Sequence, residues 1–132
     1  MPTGEKNLGI LLRSMKPVLN AGEYVFCTSP GATLPPQENI ICWFREKEGI
    51  TLILEKTAAD HLRLPYSFIA SWITLTVHSS LEAVGLTAAF SKALATENIS
   101  CNVVAGYYHD HIFVGLPDTG KAMAILQRFS EQ

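Results

Sequence analysis

The chain has 132 residues, its formal net charge at pH 7 is -2, and 48% of its residues are hydrophobic against 17% that are charged. This composition excludes a disordered chain and predicts either one compact core or two small units that share a core. The sequence has no run of Lys and Arg. It therefore argues against a nucleic-acid backbone or an anionic membrane as the main partner, because both bind clustered positive charge.

The sequence predicts a cytoplasmic location. It contains no apolar stretch of the roughly 18 to 20 residues that a membrane-spanning helix needs, and residues 1–9 lack the continuous apolar core of a signal peptide. The cysteines Cys27, Cys42 and Cys101 are widely spaced and lie in apolar runs. Such cysteines fit small buried side chains in a reducing compartment, and they indicate neither a disulfide framework nor a zinc ribbon.

The first half of the chain is predicted to contain, in order, a helix, three strands and a second, short helix. Near the start, apolar residues recur at helical spacing, at Leu8, Leu11, Leu12 and Met15. They predict a helix with Thr3 as its N-terminal cap and Pro17 as its C-terminal limit. Apolar, aromatic and β-branched runs predict strands at 23–28, 40–44 and 51–54. Residues 29–39 hold three prolines and a glycine and predict a long loop. Thr57 and Asp60 resemble a capping box that opens a short helix.

The second half follows the order β-α-β-β-α. Alternating residues predict a strand at 69–77, which leads through a polar turn to a helix at 83–98. That helix carries the apolar stripe Leu86, Ala89, Phe90, Ala93 and Leu94. Two further strands are predicted at 101–107 and 111–114, around a Tyr-His-Asp turn. Asp118 is the expected cap of a last helix with the stripe Ala122, Ile125, Leu126 and Phe129.

This order of elements is the split βαβ, or ferredoxin-like, pattern, in which one helix crosses between two strands. We therefore predict an α+β fold of ferredoxin-like βαββαβ units in tandem, with an antiparallel sheet and helices on one face. Residues 1–65 form the first predicted unit and residues 66–132 the second. In the first unit the loop at 29–39 stands where the crossover helix would be. We expect this unit either to be degenerate or to borrow the helix at 8–15.

The second half also resembles an ACT domain. It has the glycine-bearing loop, the helix with an apolar inner face and the apolar hairpin strand of that family, at Gly85, Leu86, Phe90, Leu94, Ile99, Asn102, Val103 and Val104. The resemblance is to the ACT domains of aspartate kinases and of the related cellular arginine sensors. Residues 79–86 and 102–113 are similar to small stand-alone bacterial proteins made of two such units. The chain lacks the Asp-x-x-Gly or Asp-Arg-Pro-Gly loop of many ACT domains, because no Asp or Pro precedes Gly85.

The resemblance implies a regulatory or sensor protein that binds a small molecule and catalyses no reaction. It implies an amino acid as the ligand and a homodimer as the assembly, and no cofactor is expected. The alternative is a structural or oligomerisation module that acts through protein contacts, since ACT units often pair their sheets edge to edge or their helices face to face.

The predicted ligand site combines a helix start with a strand. The loop at 79–86 leads into a helix N-terminus, where free N–H groups and the helix dipole favour a carboxylate, and Gly85 would let the backbone approach that ligand closely. The resemblance implies that an Asn on the facing strand and the loop backbone hold the amino acid. The predicted site residues are Ser80, Leu81, Glu82, Ala83, Val84, Gly85, Leu86, Asn102 and Val103. In the alternative interpretation, Ser80 only caps the helix and Gly85 serves helix packing.

The sequence gives weaker support for a metal site or a catalytic site than for the ligand site. His109 and His111 would share one side of a strand and could begin a metal site, but no third ligand is near, so we interpret them as part of a polar hairpin turn. The best catalytic set would be Ser79 or Ser80 with His78 or His111 as base and Glu82 as orienting group. No nucleophile elbow, phosphate-binding loop, CxxC or HExxH motif accompanies it. We therefore predict neither a metal site nor a catalytic residue.

Overall fold

The computed structural model describes residues 7–29, 34–77 and 82–131. Within them the elements follow the order α1 (Leu8–Ser14), β1 (Pro17–Leu19), β2 (Tyr24–Ser29), β3 (Ile40–Arg45), β4 (Ile50–Glu55), α2 (Lys56–His61), β5 (Ile69–Leu75), α3 (Leu86–Thr96), β6 (Asn102–Ala105), β7 (Asp110–Gly115) and α4 (Thr119–Gln127). The predicted α+β class is confirmed. In the part of the chain that is described, no helix is both long and apolar enough to cross a membrane.

The chain divides into two compact units. Ala21–Ser71 form one, which we call the inserted unit, and the flanking segments Met1–Asn20 and Trp72–Gln132 together form the other, the composite unit. These units differ from the contiguous halves 1–65 and 66–132, because the segment before the inserted unit packs with the last part of the chain.

The strands of the composite unit lie in the order β1, β5, β7, β6. Strand β1 pairs antiparallel with β5, from Pro17 opposite Leu75 to Leu19 opposite Ile73. In the ferredoxin-like pattern the fourth strand follows the second helix along the chain, but here β1 occupies that place although it comes first. Strand β1 is not among the elements predicted from the sequence, because a strand of three residues is too short to show an alternating pattern.

The core of the composite unit lies between this sheet and its helices. Strands β5 and β7 direct Ile73, Leu75, Ile112 and Val114 toward the helices, and α4 adds Ala122, Ile125 and Leu126. From α3 come Leu86, Phe90 and Leu94, which confirms the predicted stripe on that helix. Burying each large apolar side chain contributes about 1.5 to 3 kcal/mol, so these contacts fix α3 on the sheet.

Helix α1 belongs to the same core. Leu11 and Met15 are fully buried in it, so the helix is not borrowed by the inserted unit. Its N-cap is Asn7, whose Oδ1 accepts a hydrogen bond from the Ile10 amide at 3.1 Å. The predicted cap, Thr3, lies outside the described residues.

The inserted unit has the strand order β3, β4, β2, β5. Its core consists of Val25, Cys27, Leu52, Leu54 and Ala59. The described residues between β2 and β3 form a 3-10 turn at Gln37–Asn39 and no α-helix.

The predicted capping box of α2 is wrong. The helix begins at Lys56, so Thr57 is already inside it and cannot be the cap. Asp60 instead accepts hydrogen bonds from Lys56 Nζ at 2.9 Å and from the hydroxyl of Tyr66 at 2.6 Å. The carboxylate therefore joins Lys56 in the first turn of the helix to Tyr66 in the segment that follows it.

Candidate functional site

Several elements of the composite unit meet at one end of its sheet. Thr74 Oγ1 lies 3.1 Å from His111 Nδ1, and the ring of Trp72 stacks on that of Phe113, so β5 and β7 run in opposite directions. The pair Ala105 and Asp110 closes the β6–β7 hairpin. The end of β5, the start of α3 and the hairpin turn at 106–109 therefore lie at the same end, which we call the hairpin end.

The described part of the predicted loop exposes some side chains and buries others. Glu82 is exposed and Val84 is 83% exposed, whereas Ala83 packs against the core. Leu86 is buried in the core, so only its backbone could reach a ligand. Ser80 and Leu81 lie outside the described residues, as do Ser79 and His78 of the catalytic set.

Gly85 occupies the N-cap position of α3 in the left-handed region, with φ of +98°, which favours glycine. A Cβ atom there would lie 3.1 Å from Leu8 Cδ2, so the glycine lets α1 approach α3 closely. This contact supports the interpretation of Gly85 as a packing residue. Gly85 offers no side-chain cap, and the first-turn amides of α3 therefore keep their positive character.

Asn102 and Val103 lie at the other end of the unit. Asn102 starts β6, and its Nδ2 donates a hydrogen bond to the Phe113 carbonyl at 3.3 Å, while Val103 packs against the core. Helix α3 has 11 residues, and a helix of that length spans about 16 Å. Because β6 follows the C-terminal end of α3, one chain does not bring Asn102 beside Gly85. The two could meet only between two copies.

Asp110, predicted from the sequence as the last residue of the Tyr-His-Asp turn, is buried at the start of β7. Its side chain is only 7% exposed and alternates along β7 with Ile112 and Val114, on the side that faces the helices. Among the described residues it has no hydrogen bond or ion pair. Burial raises the pKa of its carboxyl, and the charges of His111 and His109 partly oppose that shift. A buried acidic residue inside an apolar strand pattern is the signal that could have identified it.

The two histidines of the turn have different surroundings. His111 Nδ1 accepts a hydrogen bond from Trp72 Nε1 at 3.0 Å, and burial, followed by the charge of His109, lowers the pKa of its imidazole. His109 Nδ1 is buried and has no hydrogen-bond partner among the described residues. In the described part of the chain no three His, Cys, Asp or Glu side chains are grouped as metal ligands.

Two open clefts lie away from the hairpin end and contain none of the predicted site residues. One, of about 300 Å³ in the inserted unit, is lined by Glu38, Glu55 and His61 among others. The second, of about 400 Å³ in the composite unit, lies between the ends of α3 and α4. The cysteines are free thiols, and burial raises the pKa of Cys27 and Cys101, which disfavours the reactive thiolate.

Two protein-family models match this chain. A family model described as the ACT domain matches residues 3–71, and a second one of the same description matches residues 67–128. The chain belongs to the ACT-domain family. The resemblance seen in the sequence is therefore confirmed, and with it the tandem of ferredoxin-like units. ACT domains are typically regulatory modules that bind small molecules.

Solved structures share the fold. A protein of unknown function from Vibrio cholerae, described as a possible transport protein, is 51% identical with a TM-score of 0.83, over 95% of this chain and 97% of that one. An Agrobacterium tumefaciens protein is 16% identical with a TM-score of 0.71, over 88% of this chain and 89% of its own. E. coli aspartokinase III, solved with aspartate and ADP, is 10% identical with a TM-score of 0.63, over 88% of this chain and 33% of its own. No curated protein matches the chain.

Proposed function

We propose that this chain is a non-enzymatic regulatory protein of the cytoplasm that binds an amino acid at the start of α3. Membership of the ACT family supports a small-molecule regulatory role. The observation that carries the site is the start of α3 at Gly85, which has no side-chain cap among the residues that the structure describes. Its first-turn amides can therefore receive the carboxylate of an amino acid.

The proposed site is completed by a second copy. The loop residues Ser80 to Leu86 come from one chain, and Asn102 and Val103 come from its partner in a homodimer. The separation of Gly85 and Asn102 along α3 within one chain supports this arrangement. Among the described strands, β6 ends the order and pairs with β7 alone, so its outer edge is available to a second copy.

A screen of the twenty amino acids by thermal unfolding and calorimetry tests the proposal. An amino acid present at a hundredfold excess over its dissociation constant should add about 2.7 kcal/mol to the free energy of unfolding. Asn102→Ala should weaken binding by about 1 to 3 kcal/mol. Because the substitution also removes the hydrogen bond to the Phe113 carbonyl, binding is compared under conditions in which both proteins are fully folded. Gln127→Ala, which removes an exposed amide from α4, is the matched control. If no amino acid binds the wild type at millimolar concentration, the proposed function is wrong.

The alternative function is an oligomerisation module, and the edge strand of the inserted unit favours it. Strand β3 ends the strand order, and it exposes Ile41, Trp43 and Phe44, the last of them to 69%. An apolar strand with an unpaired edge readily adds another strand. This alternative predicts that Phe44→Lys lowers the mass found by sedimentation, whereas Lys47→Ala on the adjoining turn does not.

A further inference from the structure

The cleft between the ends of α3 and α4, which we call the α3–α4 cleft, is formed within one chain. Its volume is about 400 Å³, and small-molecule pockets in proteins measure roughly 300 to 1,000 Å³. Both helices contribute to its lining, together with the 3-10 turn Arg128–Glu131 that follows α4. The lining residues are Ala93, Thr96, Glu97, Ile125, Arg128 and Phe129. The cleft can therefore hold a small molecule without a second copy of the chain.

The floor of the α3–α4 cleft is an open edge of the apolar core. Ile125 belongs to the core of the composite unit, and Ala93 and Phe129 pack against that core but are only half-buried. A ligand that covers Ala93 and Phe129 would remove from water the apolar surface that the fold leaves open there, which is favourable. The floor therefore selects a ligand with an aliphatic or aromatic body.

The α3 side of the cleft offers hydrogen-bond acceptors. Thr96 Oγ1 donates its hydrogen to the Lys92 carbonyl at 2.8 Å, so toward the cleft this hydroxyl can only accept. The carboxylate of Glu97 is also an acceptor, and it is exposed directly after the last residue of α3. The C-terminal end of a helix dipole is negative as well. This side of the cleft therefore favours a positively charged N–H group such as an ammonium.

The α4 side of the cleft offers hydrogen-bond donors. Arg128 is the exposed C-cap residue of α4, and its guanidinium carries five N–H donors and no acceptor. In the described parts of the chain, neither Arg128 nor Glu97 forms an ion pair or a side-chain hydrogen bond. Both charges are thus open to a ligand. A guanidinium binds a carboxylate through charge-assisted hydrogen bonds, so this side favours an anion.

We infer that the α3–α4 cleft binds a small zwitterion with an apolar body, either an aliphatic amino acid or a short apolar peptide. The ammonium contacts Thr96 and Glu97, the carboxylate contacts Arg128, and the apolar body covers Ala93 and Phe129. The inference goes beyond the proposed function, because this cleft lies at the C-terminal end of α3 and the proposed site lies at its first turn.

The test uses probes of one shape with different charges. L-Leucine carries both charges, isopentylamine lacks the carboxylate and isocaproate lacks the ammonium. In NMR titrations of the wild type, L-leucine should shift the methyl signals of Ala93 and Ile125 in a saturable way. The two probes with one charge should each bind about 3- to 10-fold more weakly. Molecules of this size bind weakly, so the titrations must extend into the high millimolar range.

Glycyl-L-leucine distinguishes the two sources of the zwitterion, because its ammonium lies farther from its carboxylate. Tighter binding than that of L-leucine assigns the cleft to a peptide, and weaker binding assigns it to a free amino acid. The inference is wrong if neither molecule shifts the Ala93 and Ile125 methyl signals. It is also wrong if a probe with one charge binds as tightly as the better of the two zwitterions.

Variants of the two charged residues give the second arm. Arg128→Gln should weaken the better zwitterion and isocaproate about 3- to 10-fold without weakening isopentylamine. Glu97→Gln should weaken the same zwitterion and isopentylamine by a similar factor without weakening isocaproate. Lys121→Gln and Glu48→Gln, which remove exposed charges away from the cleft, are the matched controls. Wild-type affinity for the zwitterion in Arg128→Gln and in Glu97→Gln overturns the inference.

The position of the shifted signals separates this inference from the proposed function. An amino acid at the proposed site should shift first-turn amides of α3 such as that of Thr87, whereas one in the cleft should shift the Ala93 and Ile125 methyls. Shifts at Thr87 alone overturn the inference and leave the proposed function standing. Shifts at the two methyls alone support the inference and overturn the proposed site.

Discussion

Asp110 should leave a signature in the pH dependence of stability. Burial raises the pKa of its carboxyl in the folded protein, against the charges of His111 and His109. The folded state then holds the proton more tightly than the unfolded state. Its contribution to stability is fully present below the unfolded pKa of about 3.9 and is lost as pH rises through the folded value.

We therefore expect the wild type to lose stability relative to Asp110→Asn as pH rises from about 4. Urea unfolding of both proteins at a series of pH values measures the difference. With Gln127→Ala as control, which removes an exposed amide that does not titrate, the difference from wild type should show no such trend. If the wild type instead becomes more stable relative to Asp110→Asn as pH rises, the carboxylate has a stabilising partner.

His111 should show the opposite pH dependence. Its Nδ1 accepts from Trp72 Nε1, which can only donate, so protonation there breaks the hydrogen bond. Because burial lowers the pKa of the imidazole, the unfolded state binds the proton more tightly. The contribution of His111 to stability is then fully present above the unfolded pKa of about 6.5 and is lost as pH falls below that value.

Fluorescence of Trp72 measures this loss in a Trp43→Phe background, where it is the remaining tryptophan. We expect His111→Phe to remove the part of the stability change that occurs below about pH 6.5. His61→Gln, on the exposed surface of α2, should retain it. An unaltered pH profile in His111→Phe would assign the effect to another group.

At the scale of the element, α3 is held by its apolar stripe. Phe90 is fully buried, so Phe90→Ala should lower the free energy of unfolding by about 3 to 5 kcal/mol. Lys92→Ala on the exposed side of the same helix should change it by less than about 0.5 kcal/mol. Chemical denaturation measures both, and an unchanged midpoint for Phe90→Ala would remove that residue from the core.

The contact of α1 with the start of α3 can be separated from ligand binding. Gly85→Ala should be destabilising because its φ is +98° and because the new Cβ would crowd Leu8. In a double-mutant cycle, Leu8→Ala should reduce the cost of Gly85→Ala, since it removes the crowding but not the backbone strain. Strictly additive costs would show that the packing contact is not what requires glycine.

At the scale of the whole molecule, the proposed site between two copies makes a prediction for mixed subunits. Gly85→Val and Asn102→Ala should each abolish or weaken amino-acid binding. When the two variants are mixed and exchange subunits, half of the dimers become mixed, and each of these has one intact site. Binding should therefore return to about a quarter of the wild-type capacity. Calorimetry of the mixture measures this capacity, and no recovery would show that Gly85 and Asn102 do not share a site between two copies.

Short-range patterns in the sequence are enough to predict many of the secondary-structure elements of this protein and their buried faces. The spacing of Leu86, Phe90 and Leu94 is enough to identify α3 and its buried face, because a helix repeats every 3.6 residues whatever surrounds it. The alternation along β7 and the turn before it likewise predict the hairpin. The family resemblance rests on the same local order of elements.

The tertiary structure decided what depends on contacts between distant segments. The pairing of Leu19 with Ile73, the packing of Leu8 on Gly85 and the burial of Asp110 all join residues that no local pattern connects. The separation of Asn102 from Gly85 belongs to the same class, because it follows from the direction in which α3 crosses the sheet. Side-chain surroundings come from the path of the whole chain, and periodicity describes only its nearest turns.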